Sequence, residues 1–83
     1  MAIEAAILHA VAARGIGRSI CPSEVARAIT PAGQDWRHGM HPVREAARRL
    51  ARAGRIAILR KGRPVDPDDF KGVIRLSLPQ TEV

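Results

Sequence analysis

The chain has 83 residues, 46% of them hydrophobic, with a single Cys and a formal charge of +6. That length makes one domain, residues 1–83, with a core near the lower limit of what folds unaided, and the apolar content excludes a disordered basic tail. A lone thiol excludes an intramolecular disulfide and points to a reducing cytoplasm, and no apolar run approaches the roughly 18–20 residues of a membrane span.

Ala2–Arg14 reads as a first helix, because Ile3, Ile7, Ala10 and Val11 recur at helical spacing and Gly15 and Gly17 stop it. The start, Met1-Ala2-Ile3-Glu4, lacks the basic region of a signal peptide. Ser19-Ile20 is a candidate for a very short strand. Pro22–Ile29 is a second helix, with Pro22 at its first position, Glu24 at its third and Cys21 at the cap. Its inward stripe is Val25, Ala26 and Ile29. Thr30-Pro31-Ala32-Gly33 breaks the chain, and Asp35 is placed to cap one further turn through His38.

Pro42–Ala53 carries the strongest periodicity. Val43, Ala46, Ala47, Leu50 and Ala53 fall on one side, and Arg44, Glu45, Arg48, Arg49 and Arg52 on the other. Gly54 ends this third helix. Arg55–Arg60 and Val73–Leu78 alternate as strands, the second more cleanly, with Ile74, Leu76 and Leu78 on one face. The intervening Lys61–Gly72 is too long for a tight hairpin, and Asp66 inside it is placed to cap a helical turn. From 79 onward a loose tail is expected. Helix, short strand, helix, helix, strand, long loop, strand is the winged-helix order. The predicted class is therefore α+β, a three-helix bundle over a small antiparallel sheet with a long wing loop. The helices supply the apolar cover that a hairpin lacks alone.

Charge is distributed unevenly along this plan. Residues 35–63 hold nine of the 14 bases and only two acids, Asp35 and Glu45, so this third of the chain nets +7. Arg44, Arg48 and Arg52 recur every four residues and form one stripe, with Arg49 beside it. A basic helix followed by Arg60, Lys61 and Arg63 in the wing is a footprint for a polyanion, with double-stranded DNA the first candidate. The bland alternative is a solvated helix face on which Glu45 bridges to Arg48 or Arg49. Only one acid offsets the five bases between Arg44 and Arg55, which favours the interface about two to one. The helix has no Asn or Gln, so adenine readout from it is not expected. Asp66, Asp68 and Asp69 would repel phosphate. They either cap a turn and pair with Arg63 or Lys71, or fold back on the arginine face and neutralise it.

Other chemistry finds little support. His38 and His41 have zinc-like spacing, but a third and fourth ligand are missing, so no metal and no cofactor is expected. Cys21 is expected to be a small buried hydrophobe rather than a reactive thiolate. Trp36 is expected to anchor the core. With one Phe and no Tyr, single-strand stacking is poorly served. There is no Gly-rich phosphate loop and no nucleophile triad order, so no catalysis is expected.

Three separated runs carry a family resemblance: Ser19-Ile20-Cys21-Pro22-Ser23-Glu24-Val25-Ala26-Arg27-Ala28, then Val43-Arg44 with Ala46-Ala47-Arg48-Arg49-Leu50, then Lys61-Gly62-Arg63-Pro64-Val65-Asp66-Pro67 followed by Gly72 and Ile74-Arg75-Leu76. With these the chain resembles a family of small bacterial domains of unknown function. The resemblance implies a winged-helix-like fold and no activity or site residue. Two readings of function follow, a non-catalytic DNA-binding domain or a module that offers the same basic face, or its sheet side, to an acidic protein partner.

Overall fold

The computed structural model describes residues 3–79. Helix α1 spans Ile3–Arg14, strand β1 Ser19–Ile20, helix α2 Pro22–Ile29, a 3₁₀ helix Trp36–Gly39, helix α3 Met40–Arg52, and strands β2, β3 and β4 Ala57–Arg60, Arg63–Pro64 and Arg75–Ser77. Three helices and a four-stranded antiparallel sheet of order β1-β4-β2-β3 make an α+β fold, compatible with the winged-helix order. Ala2 and the part of the expected tail beyond Pro79 lie outside the described residues.

The sheet register aligns Ile20, Leu76 and Ile58 on one face. With Ile56 and Ile74 they meet Ile7 and Val11 of α1, Val25 and Ala26 of α2, and Val43, Ala46, Ala47 and Leu50 of α3 in one buried cluster. The core is almost entirely aliphatic, so it rests on the number of buried branched side chains rather than on large rings. Leu50, expected as a central residue, is only 4% exposed. Ala53 departs from the expected stripe and is exposed, because α3 ends at Arg52 and Ala53 is already its cap.

α3 begins two residues before the expected Pro42, because the 3₁₀ helix runs into it with Gly39 at the junction. Pro42 then lies in the first turn, where its missing N–H costs nothing. At α2, the Cys21 N–H donates to Glu24 Oε2 at 2.8 Å and the Glu24 N–H donates to the Cys21 carbonyl at 2.9 Å. The reciprocal bond from Glu24 is what lets a Cys stand at the cap.

The expectation for Lys61–Gly72 needs correction. Lys61 and Gly62 form a two-residue turn with φ of 52° and 79°, pairing Arg60 with Arg63 and Leu59 with Pro64. Positive φ at both central residues is the primed turn whose twist matches a hairpin. Pro64 fits because β3 is an edge strand, and the next N–H, of Val65, donates to the Ile58 carbonyl at 2.9 Å. Asp66 does cap a single turn within this segment: its Oδ1 accepts from the Asp68 N–H at 2.8 Å and its carbonyl from the Asp69 N–H at 3.1 Å.

Candidate nucleic-acid interface

After that turn the chain crosses the polar side of α3 as a strap, Asp66–Gly72. Asp68 Oδ1 accepts from Arg52. The Phe70 ring lies 4.9 Å from the Arg48 guanidinium and 5.1 Å from that of Arg44. The Gly72 carbonyl accepts from Arg44 Nη1 at 3.2 Å. Strap positions two apart thus meet helix positions four apart, in opposite directions. Four helical residues advance about 6 Å, so each pair of strap residues covers about one helical turn. Phe70 anchors the strap and is itself 8% exposed. The arginine stripe is therefore a packed contact as well as a charged one.

Besides Arg52, two more arginines of this side, Arg48 and Arg49, are paired with acids. Arg48 meets Glu45 at 3.5 Å, one of the two bridges expected. Arg49 turns away from Glu45 and donates from Nε to Glu4 on α1 at 3.3 Å. Arg48 Nε is buried without a hydrogen-bond partner among the described residues, so its compensation is the contact with Phe70. The acidic loop thus folds back on the arginine face as one expectation had it, through Asp68 with Arg52. The alternative pairing of these acids with Arg63 or Lys71 is not seen among the described residues.

The hairpin presents a different arrangement. Arg60, Lys61 and Arg63 are exposed around the turn and have no carboxylate partner among the described residues. Arg60 Nη1 donates to the Lys71 carbonyl at 3.0 Å. Arg44 and Arg60 therefore grip the consecutive carbonyls of Gly72 and Lys71, which joins α3 to the hairpin in one basic ridge. Gly72 sits at φ 74°, a left-handed backbone that presents its carbonyl to Arg44. A Cβ there would stand 3.8 Å from the Arg60 guanidinium, so conformation rather than space calls for glycine.

Three bases outside the predicted set extend this surface. Lys71 lies on the ridge itself. Arg75 and Arg18 lie on the outer side of the sheet, and Arg75 donates from Nε to Ser19 Oγ at 2.7 Å and from Nη2 to the Ser19 carbonyl at 3.0 Å. Lys71 and Arg75 fall outside the basic third of the sequence. The alternation of Val73–Leu78, which points Arg75 away from the core, was the signal available for Arg75.

The other singled-out residues are placed as follows. Cys21 is half-buried rather than buried, and its Sγ accepts from Ser23 Oγ at 3.0 Å. A helix cap lies at the rim of the core, which keeps part of the residue in water. Trp36 packs on the core from one side, with Arg27 over its ring at 4.5 Å and Arg37 at 5.5 Å. Asp35 caps the 3₁₀ helix, accepting from the Arg37 N–H at 3.0 Å, and that bond holds its carboxyl below the ordinary value. His38 and His41 are exposed, and no group of three metal-ligating side chains occurs among the described residues. No described helix is long and apolar enough to cross a membrane.

No curated protein matches this chain. A family described as "Protein of unknown function (DUF3253)" matches residues 1–79, nearly the whole length, and the chain belongs to that family.

Proposed function

We propose that this domain binds double-stranded DNA without catalysis, as a winged-helix domain that uses α3 and the β2–β3 hairpin. Arg44, Arg48, Arg49, Arg52, Arg60, Lys61 and Arg63 form the interface, and they do not act alike. Arg44, Arg60, Lys61 and Arg63 make the first phosphate contacts, because no carboxylate has to leave. Arg48, Arg49 and Arg52 contribute only where phosphate displaces Glu45, Glu4 or Asp68. The carrying observation is the continuous ridge from Arg44 through Lys71 and Arg60 to the hairpin tip, none of whose bases pairs with an acid among the described residues. Such a ridge gives affinity through counterion release, with limited guanine readout.

The test is fluorescence anisotropy with a random duplex across salt concentrations. We expect a Kd in the ~10⁻⁴–10⁻⁶ M range and a slope of log K on log salt near −3 to −4, from roughly 3–5 phosphate contacts. Absence of duplex binding at low salt sinks the reading. The second reading then stands, contact with an acidic protein in the cytoplasm. Ile16 and Val73, 88% and 84% exposed beside the sheet, favour that second reading most.

A further inference from the structure

The two faces of the sheet differ in chemistry. Ile20, Ile58 and Leu76 line the face under the helices. The opposite face carries Ser19 level with Ser77 and Ala57, and Arg75 level with Leu59. On that side a cleft of about 480 Å³ is lined by Ser19, Leu59, Arg60, Lys61, Val73 and Arg75. Its three cations have no carboxylate partner among the described residues. Like charges collected without a counter-ion repel one another, and an entering anion relieves that repulsion.

The cations are also oriented. Arg75 is fixed through Nε and one Nη2 hydrogen on the oxygens of Ser19, both uncharged, so its Nη1/Nη2 end remains as a fork for an oxyanion. Arg60 is fixed through Nη1 on the Lys71 carbonyl. Lys61 is held at the rim by its left-handed turn conformation, φ 52°. A solvated face would leave these side chains extended into water. Here they are tethered by neutral acceptors that set direction and leave the charge whole. The floor is apolar: Leu59 is 9% exposed, and Val73 stands at the edge at 84%.

We infer that this cleft binds a terminal phosphate ester carried on a planar body, the chemistry of a nucleoside monophosphate. A phosphate presents three terminal oxygens to donors arriving from three residues, which a planar carboxylate does less well. The base or sugar then lies on Leu59 and Val73. The phosphate has two possible sources, a free mononucleotide or the 5′ end of a strand. The cleft shares Arg60 and Lys61 with the proposed duplex interface, whereas Arg75 belongs to the cleft alone, so loss of the monophosphate in Arg75→Met with duplex binding kept separates the two.

The experiment is an amide NMR titration of the full chain with adenosine 5′-monophosphate, inorganic phosphate, adenosine, and a tetranucleotide with and without a 5′-phosphate. We expect saturable shifts at Ser19, Gly62 and Val73 with the monophosphate, weaker binding of phosphate, and none of adenosine. Arg75→Met and Lys61→Met each weaken the monophosphate about tenfold, the size of one lost charge-assisted bond. Arg55→Met, which removes an exposed base outside the cleft, leaves it unchanged. Lys61→Met keeps the test open should loss of the Ser19 tether unfold the Arg75 variant. A tetranucleotide that binds these amides more tightly only when 5′-phosphorylated supports the site and assigns it to strand ends. Equal binding of the monophosphate supports the free nucleotide. No shift with any phosphate ester, shifts spread equally along α3, or an equal loss in Arg55→Met overturns the inference.

Discussion

On α3, Arg48, Arg49 and Arg52 each meet a carboxylate, whereas Arg44, Arg60 and Arg75 are held by uncharged groups, with no acid partner among the described residues. The residue type is the same in both sets, and so is its formal charge. What differs is how much of that charge reaches solvent. A carboxylate partner leaves a dipole in place of a monopole, so the field of the guanidinium falls off much faster with distance. A carbonyl or hydroxyl fixes its direction and leaves the monopole intact. The richest run of arginine in the sequence is therefore not the region that offers most positive potential.

The strap contributes to both sides of this difference, with Asp68 on Arg52 and the Gly72 and Lys71 carbonyls on Arg44 and Arg60, and Phe70 is its anchor. Phe70→Ala removes a ring that is 8% exposed, and is expected to cost about 3–5 kcal/mol in urea unfolding. It also frees the Arg44 and Arg48 guanidiniums from the ring, so duplex affinity per folded molecule should rise. A cost under about 1 kcal/mol would mean that the strap does not pack on α3 as described.

The next contrast sets the two arginine groups against each other. Arg60→Gln with Arg63→Gln is expected to lower duplex affinity about tenfold at low salt and to flatten the salt slope by about two. Arg49→Gln with Arg52→Gln is expected to change affinity by less than about threefold, because both cations are already neutralised. Equal losses from the two pairs would return the helix to the centre of the interface and remove the distinction drawn here.

How much of this could be read along the chain follows from the range of the interactions. The core was legible, because Val43, Ala46, Ala47 and Leu50 report a helical period and Ile74 and Leu76 a strand period, both local. β3 was not, because two residues carry no alternation and Pro64 argues against a strand until the strand is known to be an edge. The seven proposed interface residues were picked for local charge density. Their partners were beyond reach, since Arg49 and Glu4 lie 45 residues apart and the match of strap to helix exists only once the topology brings them together. Even the expectation that the acids fold back could not say that Asp68 takes an arginine while Asp66 caps its own turn.

A smaller effect sharpens the same point. Asp68→Asn removes the partner of Arg52, both side chains being more than half exposed. The cost in stability is expected to be under about 1 kcal/mol, as for other surface pairs. Duplex affinity is expected to rise about two- to threefold, with a slightly steeper salt slope as one more base becomes available. Unchanged affinity would show that Arg52 lies outside the interface whatever its partner.

Asp35 is the acidic counterpart of Arg75, a charge held first by a neutral group. The Arg37 N–H donates to its Oδ1 at 3.0 Å, and this bond is the main reason its pKa lies below 3.8, with the Arg37 guanidinium at 3.5 Å a lesser influence. A carboxyl whose pKa is lower in the folded than in the unfolded chain stabilises the fold above the unfolded value. That contribution is lost as the pH falls below 3.8 and through the folded value. Arg37→Met removes the charge and keeps the backbone N–H. Carboxyl NMR titration is therefore expected to place Asp35 still below 3.8 in that variant, only slightly nearer to it. Asp35→Asn keeps a capping oxygen and removes the titrating group, so this part of the acid sensitivity should disappear with little loss of stability at neutral pH. A return of Asp35 to 3.8 in Arg37→Met would show that the guanidinium holds it. The division between charges fixed by neutral groups and charges cancelled by opposite ones would then fail at the place where it is simplest to measure.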